Sequence, residues 1–235
     1  MPAKKRTARQ RANKESSQKK KRSGGLLIYA IVAVICIASA GIAYFYLANS
    51  NGDQQNNPIE ENPLAIINTS LGTITIELYK DKVPDTCENF IDLANDGFYD
   101  GLVFHRVIDG FMIQTGGFDP EGNQHESPYG TIDLEIDQNL RHIDGAVAMA
   151  RQGQDMTDPT YFNTATNQFY ICDGAQHQLD DYYAVFGQVI EGMNVVHDIS
   201  AVSTQTRTIP AGYPMSNWPI DDIVINSIII ENQEG

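Results

Sequence analysis

The chain is poor in cysteine. It has three cysteines in 235 residues, too few for the disulfide framework that stabilises many small secreted domains. Cys36 falls in a long apolar run, whereas Cys87 and Cys172 fall in a predicted helix and a predicted strand, where small buried thiols are common. A bridge between Cys87 and Cys172 stays open as an alternative, because sequence alone does not give the geometry that a disulfide requires.

Basic residues are scarce beyond the first 25 positions. Ten of the sixteen lysines and arginines lie in residues 1–25, so residues 26–235 carry six basic and 29 acidic side chains. Neutralising phosphate groups requires a basic surface. We therefore expect no nucleic acid among the partners of this chain.

Motifs of metal and cofactor chemistry are also lacking. The five histidines show no close metal-ligand spacing, and no cysteine lies beside them. No phosphate-binding glycine loop and no G-x-S-x-G motif occurs. The acid pairs Asp180-Asp181 and Asp221-Asp222 are interpreted as solvated surface in turns. The sequence predicts neither a metal nor a cofactor.

One long apolar run is present at residues 26–48, where 23 residues carry no charge. A helix rises about 1.5 Å per residue, so this run would span about 35 Å, enough for the roughly 30 Å hydrocarbon layer of a membrane. The basic residues before it predict a cytoplasmic N-terminus and an extracytoplasmic body. A cleaved signal peptide is the alternative, because Ala38-Ser39-Ala40 resembles a cleavage site. We prefer the uncleaved anchor because apolar residues continue to Ala48.

These patterns predict four segments. A basic cytoplasmic tail at 1–25 precedes the transmembrane anchor at 26–48, a polar linker at 49–63 and a folded domain at 64–231. In the domain we predict a hairpin over 64–79, a helix from Pro84 to Asn95 with Asp85 or Thr86 as its cap, and a second helix over 192–199. Further strands are predicted over 102–108, 111–116, 146–150, 168–172, 183–190 and 223–230. Many short strands and two helices indicate a mostly β fold.

The densest signal for chemistry lies in residues 99–117, YDGLVFHRVIDGFMIQTGG. Arg106 is predicted on a strand, and Phe111, Met112 and Gln114 follow it closely. Because side chains alternate along a strand, these residues can line an apolar hollow with donors at its rim. Rotation about a peptide bond meets a barrier of about 18–20 kcal/mol. An apolar pocket for the proline ring and a cationic donor for the twisted amide can lower that barrier without covalent chemistry.

Residues 99–116 resemble the signature of the cyclophilin family of peptidyl-prolyl cis/trans isomerases, in which F-H-R is followed by F-aliphatic-x-Q-x-G. The resemblance extends over about 64–230 and includes GAVAMAR at 145–151 and TNQFYI at 166–171. It implies a closed antiparallel eight-stranded β-barrel capped by two helices, here preceded by one transmembrane helix. It also implies isomerase activity on proline-containing polypeptides, here exported or membrane-proximal ones. A non-catalytic module that binds proline peptides, or a holdase chaperone, is the alternative.

The resemblance also implies roles for individual residues. Arg106 corresponds to the catalytic arginine, and His105 beside it is given a structural or orienting role. The residues implied to bind substrate are Phe111, Met112, Gln114, Ala150, Arg151, Gln168, Tyr170, Leu179 and Tyr183.

Several positions depart from the family pattern. Tyr170 stands where many members have phenylalanine, so its hydroxyl needs a partner if it is buried. Tyr183 replaces a histidine common in eukaryotic members, and Arg151 replaces a frequent asparagine and adds a charge at the edge of the groove. Gln178 replaces a tryptophan that contributes to cyclosporin binding, so strong inhibition by cyclosporin is not expected. The stretch 152–163 is altered, which affects substrate reach.

Overall fold

The computed structural model describes residues 62–153 and 155–232. The predicted basic tail, the predicted anchor at 26–48 and all but the last two residues of the predicted linker lie outside these ranges. Among the described residues, no helix has the length and apolarity that crossing a membrane requires.

The described part of the chain forms ten strands and two α-helices. The strands are β1 (Leu64–Thr69), β2 (Gly72–Leu78), β3 (Arg106–Ile108), β4 (Met112–Thr115), β5 (Ala146–Met149), β6 (Phe169–Cys172), β7 (Val185–Glu191), β8 (Thr204–Thr208), β9 (Pro214–Pro219) and β10 (Ile225–Glu231). The helices are α1 (Pro84–Asn95) and α2 (Met193–Ser200), with short 3-10 turns at Pro159–Tyr161 and His177–Leu179.

The predicted first hairpin is confirmed. Strands β1 and β2 pair antiparallel from Leu64↔Glu77 to Thr69↔Gly72. Every second residue of each strand is buried, with Ala65 and Ile67 from β1 facing the same core as Ile74 and Ile76 from β2. This period of two is the pattern expected of a strand with one face on a core.

Helix α1 has the predicted bounds, but its predicted cap is wrong. Val83 occupies the N-cap and no side chain of the helix caps it. The carboxylate of Glu135 does so instead: it accepts hydrogen bonds from the backbone nitrogen of Thr86 at 2.7 Å and from its hydroxyl at 2.6 Å. A distant acid thus satisfies donors that a helix start leaves free.

The prediction of a closed barrel is wrong. Eight strands form one curled antiparallel sheet in the order β10-β1-β2-β7-β5-β6-β4-β3, and its end strands β10 and β3 do not pair. Strand β3 has only three residues. The segment before β3 approaches the start of β10 at the isolated bridge Val103↔Val224. Backbone hydrogen bonds from Gly101 to Ile225, from Phe104 to Ile223 and from Ile225 to Leu102 accompany it, but the pairing does not continue into β3. Helix α1 covers the main core, where Phe90 packs against Tyr99, Phe169 and Phe186.

A second, two-stranded sheet was not predicted. Strands β8 and β9 pair antiparallel outside the main sheet. All residues of β8 are exposed except the half-buried Arg207. The hairpin contributes Trp218 to a small closed cluster with Val103, Phe118 and Ile209. We call this set the Trp218 cluster.

Both described cysteines are free and buried, Cys87 in α1 and Cys172 in β6. Their predicted burial is confirmed, and the alternative disulfide is not formed. Burial raises the pKa of each thiol to about 12.

Candidate active site

Strands β3 and β4 place Arg106 directly opposite Gln114. Nη1 of Arg106 lies 3.3 Å from Oε1 of Gln114 and 3.5 Å from the sulfur of Met112. The amide nitrogen of Gln114 in turn donates to Oε1 of Gln168 at 2.9 Å. Partial burial lowers the pKa of Arg106. Among the residues described, no carboxylate forms an ion pair with this guanidinium, so its charge faces the groove without a counter-ion.

An apolar hollow of about 410 Å³ opens beside Arg106. We call it the apolar pocket. Met112, Tyr170 and Leu179 form its buried wall, and the half-buried Phe111 and Tyr183 pack against that wall. The guanidinium carbon of Arg106 lies 5.8 Å from the ring centroid of Phe111. The hollow can therefore hold a compact apolar ring next to a cationic donor.

The hydroxyl of Tyr170 points away from the solvent. It lies 2.9 Å from Nε2 of His142, whose Nδ1 lies 2.9 Å from Oδ1 of Asp180. Burial lowers the pKa of His142. A neutral ring donates from Nδ1 to the carboxylate and accepts at Nε2 from Tyr170. The predicted need of this hydroxyl for a partner is thus met.

A polar hollow of about 490 Å³ adjoins the apolar pocket, and Gln114, Ala150 and Arg151 line both. Its other lining residues carry hydroxyl, amide or carboxylate groups, with Gly130 completing the wall: Gln124, Glu126, Ser127, Gly130, Gln152, Thr164, Thr166, Asn167 and Gln168. Two adjoining hollows along one groove suit an extended peptide rather than a small isolated ligand.

Comparison with known proteins decides the family. The family model for cyclophilin type peptidyl-prolyl cis-trans isomerases matches residues 64–230. Peptidyl-prolyl cis-trans isomerase A of Dickeya dadantii is 40% identical over 167 residues, covering 69% of this chain and 81% of that protein. Peptidyl-prolyl cis-trans isomerase B of Escherichia coli is 34% identical over 169 residues, covering 71% and 99%. This chain belongs to the cyclophilins.

A solved cyclophilin supports the same conclusion. The crystal structure of a Cryptosporidium parvum cyclophilin type peptidyl-prolyl cis-trans isomerase is 31% identical, with a TM-score of 0.62 over 74% of this chain and 99% of that one. A second structure of the same protein, with a TM-score of 0.61, was determined in the presence of the dipeptide Ala-Pro. The present chain is accordingly a peptidyl-prolyl cis-trans isomerase.

In this cyclophilin the predicted site residues come together. The apolar pocket is lined by Arg106, Phe111, Met112, Gln114, Ala150, Arg151, Tyr170, Leu179 and Tyr183. Gln168 lies in the adjoining polar hollow. Their individual roles in catalysis and binding stay predictions.

His105 lies elsewhere. It is buried, and its ring packs against Phe118 with centroids 4.9 Å apart and against Trp218 at 6.1 Å. Burial lowers its pKa to about 4, so the ring is neutral at neutral pH. Sequence neighbours on an extended segment point to opposite sides, which is why His105 enters the Trp218 cluster while Arg106 enters the groove.

Sequence reasoning about this cyclophilin missed four residues around the pocket, in two groups. Gly153 and Met156 line the apolar pocket from the altered stretch 152–163. His142 and Asp180 support it from behind, although Asp180 was interpreted as solvated surface; its side chain is 9% exposed and accepts from three side chains. His177, three positions before Asp180, is a local sequence feature that could have indicated a partner for this carboxylate. The contact between His142 and Tyr170 spans 28 positions, and no local sequence pattern indicates it.

Proposed function

We propose that this isomerase works without covalent chemistry, with Arg106 assisting rotation about X-Pro bonds of polypeptides. The observation that carries this proposal is the guanidinium of Arg106, which has no carboxylate partner in the described part of the chain and lies 5.8 Å from the ring centroid of Phe111 at the apolar pocket. A proline ring seated on Phe111, Met112 and Leu179 brings its amide close to that donor.

The physical argument concerns the amide nitrogen. In the planar ground state its lone pair is delocalised into the carbonyl, which gives the barrier of about 18–20 kcal/mol. In the twisted transition state the lone pair returns to the nitrogen, which becomes a hydrogen-bond acceptor. A guanidinium donor therefore stabilises the transition state more than either planar isomer, which is the condition for catalysis. Gln114 beside it offers polar groups that can hold the peptide backbone.

The test is Arg106→Ala in the full chain, followed by the cis-to-trans exchange of an Ala-Pro peptide. Loss of a donor to the transition state should lower kcat/KM about 100-fold or more. The fold should persist, because Arg106 is half-buried. Arg207→Ala is the matched control: Arg207 is equally half-buried and also lies on an aromatic ring, that of Trp218 at 4.8 Å, but it is remote from both hollows. Equal activity in wild type and Arg106→Ala would reject arginine assistance.

We also propose that residues 26–48 anchor the enzyme, with the domain on the opposite side of the membrane from the basic tail. Its substrates are then exported or membrane-proximal polypeptides. The uncharged run and the basic block before it support this arrangement. Protease added to sealed cells should digest the domain and spare the tail. A protected domain would contradict the proposed orientation.

A further inference from the structure

Arg151 lines both hollows, and its guanidinium hydrogen-bonds to backbone carbonyls of the enzyme. Its Nε donates to the carbonyl of Tyr182 at 3.1 Å, Nη1 to that of Gln152 at 3.5 Å, and Nη2 to that of Met156. Its planar face is held as well. The guanidinium carbon lies 4.7 Å from the ring centroid of Tyr183 and 5.0 Å from that of Phe162. A planar fork of five donors suits this combination of stacking and hydrogen bonding, and an ammonium does not.

These contacts hold the loop, described at 152–153 and 155–162, against the groove. Arg151 itself joins the two ends of the loop, since it contacts Gln152 and Met156 at one end and Phe162 at the other. Gly153 lies close against Tyr161: its φ is +98°, and a β-carbon there would lie 2.5 Å from the ring of Tyr161. The hydroxyl of Thr164 closes the loop, because it accepts from the backbone nitrogen of Gln152 at 3.0 Å and donates to the carbonyl of Tyr161 at 2.7 Å.

The loop places Met156 in the wall of the apolar pocket. Met156 lines the same hollow as Arg106 and Phe111, and it is half-buried against the cluster that contains Met112 and Tyr170. An unbranched thioether adapts its shape to the apolar group that it meets. Its position on the hollow, with part of its surface exposed, leaves that side chain free to contact a bound peptide.

We propose that Met156 is a specificity-determining residue of the apolar pocket, and that Arg151 is the positioning residue that holds it there. This inference rests on the proposed function of the groove. Met156 selects peptides with a large apolar residue next to the proline, because only such a residue covers its exposed surface. Arg151 acts through Met156, since each of its three nitrogens donates to a backbone carbonyl of the enzyme, that of Met156 among them.

The first experiment measures kcat and KM of the full chain on peptides with Gly, Ala, Leu or Phe on either side of the proline. Wild type should prefer Leu and Phe over Gly at one of the two positions. Met156→Ala should reduce that preference about tenfold, mainly through KM. Met156→Leu should restore the preference. Met215→Ala, a half-buried methionine of the Trp218 cluster, should leave it unchanged.

The second experiment tests the positioning role. Arg151→Lys keeps the charge but loses the planar fork, so it should reduce the same preference as Met156→Ala. The double variant should show no further loss, because the two residues act as one unit. Arg207→Lys, which alters the stacked arginine on Trp218, should keep the wild-type preference. Additive effects of Arg151→Lys and Met156→Ala would overturn the positioning role.

Peptide affinities from isothermal titration calorimetry separate this inference from the proposed function. If wild type and Met156→Ala rank the peptide series in the same order with the same ratios, Met156 sets no specificity, whatever the rates are. If Arg106→Ala is as active as wild type while Met156→Ala still changes the affinity ratios, arginine assistance fails and the inference about Met156 holds.

Discussion

Two aromatic clusters receive neighbouring residues of the chain, His105 and Arg106. His105 enters the Trp218 cluster, which is closed: Phe118 is 4% exposed and Trp218 is fully buried. Arg106 enters the apolar pocket, where Phe111 and Tyr183 remain half-exposed around a hollow of about 410 Å³. Aromatic side chains thus form a fully packed, buried cluster around His105 and a pocket with partly exposed walls beside Arg106.

The two clusters also differ in whether their arginine pairs with a carboxylate. Arg207 lies over Trp218 and pairs with Asp222 at 3.2 Å, and the same carboxylate accepts from the indole nitrogen of Trp218 at 2.7 Å. Arg106 lies beside Phe111, and no carboxylate of the described ranges pairs with it. A cation with its anion stabilises the fold, whereas a cation without one is available to a ligand. The proposed catalytic role of Arg106 rests on this difference.

The largest effect should come from truncating one aromatic residue in each cluster. Trp218→Ala should lower the free energy of unfolding by about 3–5 kcal/mol, since it empties a fully buried site. Phe111→Ala should cost less stability, because Phe111 is half-exposed, but it should raise KM and lower kcat. Urea unfolding and peptide exchange measure the two quantities. If Trp218→Ala lowers activity per folded molecule as much as Phe111→Ala does, the proposed division between a structural cluster and a functional pocket is contradicted.

An intermediate effect should come from acidification. The pKa of His105 is about 4 in the folded protein against about 6.5 in the unfolded chain. The unfolded chain therefore takes up this proton first as the pH falls. Stability is fully present above pH 6.5 and decreases towards pH 4, by up to about 3 kcal/mol for His105. The lowered pKa of His142 acts in the same direction.

Urea unfolding between pH 4 and pH 7 measures this dependence. His105→Phe keeps an aromatic ring beside Phe118 and should flatten the slope, leaving the part due to His142 and to carboxylates with a lowered pKa such as Asp173 and Asp180. A slope that His105→Phe leaves unchanged would show that the closed cluster does not set it.

The smallest effect should come from Tyr170→Phe. This change keeps the ring in the pocket wall but leaves Nε2 of the buried His142 without its partner at 2.9 Å, which should cost about 1 kcal/mol of stability. Activity should stay within about threefold, because the hydroxyl points away from the hollow. Thermal unfolding and peptide exchange measure both. A large loss of activity at unchanged stability would place the hydroxyl in the chemistry.

The sequence predicted those features whose cause is local. The alternation in β1 and β2 and the run from Pro84 to Asn95 carry their own periodicity, and the signature at 99–116 brings Arg106, Phe111 and Gln114 together across one strand pair. Strand β8 was missed because its residues are polar and mostly exposed. Strand β9 was missed because its six residues, PMSNWP, show no regular apolar alternation. The open sheet, the cap from Glu135 and the place of Met156 depend on contacts between distant segments, which leave no pattern in the sequence.

The alkylation rates of the two buried thiols report how often parts of the domain open. Only the thiolate attacks an alkylating reagent, and a pKa of about 12 leaves about one thiol in ten thousand ionised at pH 8. Labelling of Cys87 or Cys172 therefore waits for the surrounding structure to open, as amide hydrogen exchange does. The labelling rate of Cys87 measures how often α1 detaches. The labelling rate of Cys172 measures how often β6 separates from its neighbours inside the sheet. With Cys36 replaced by serine, the two rates rank a covering helix and a central strand by how often each comes open.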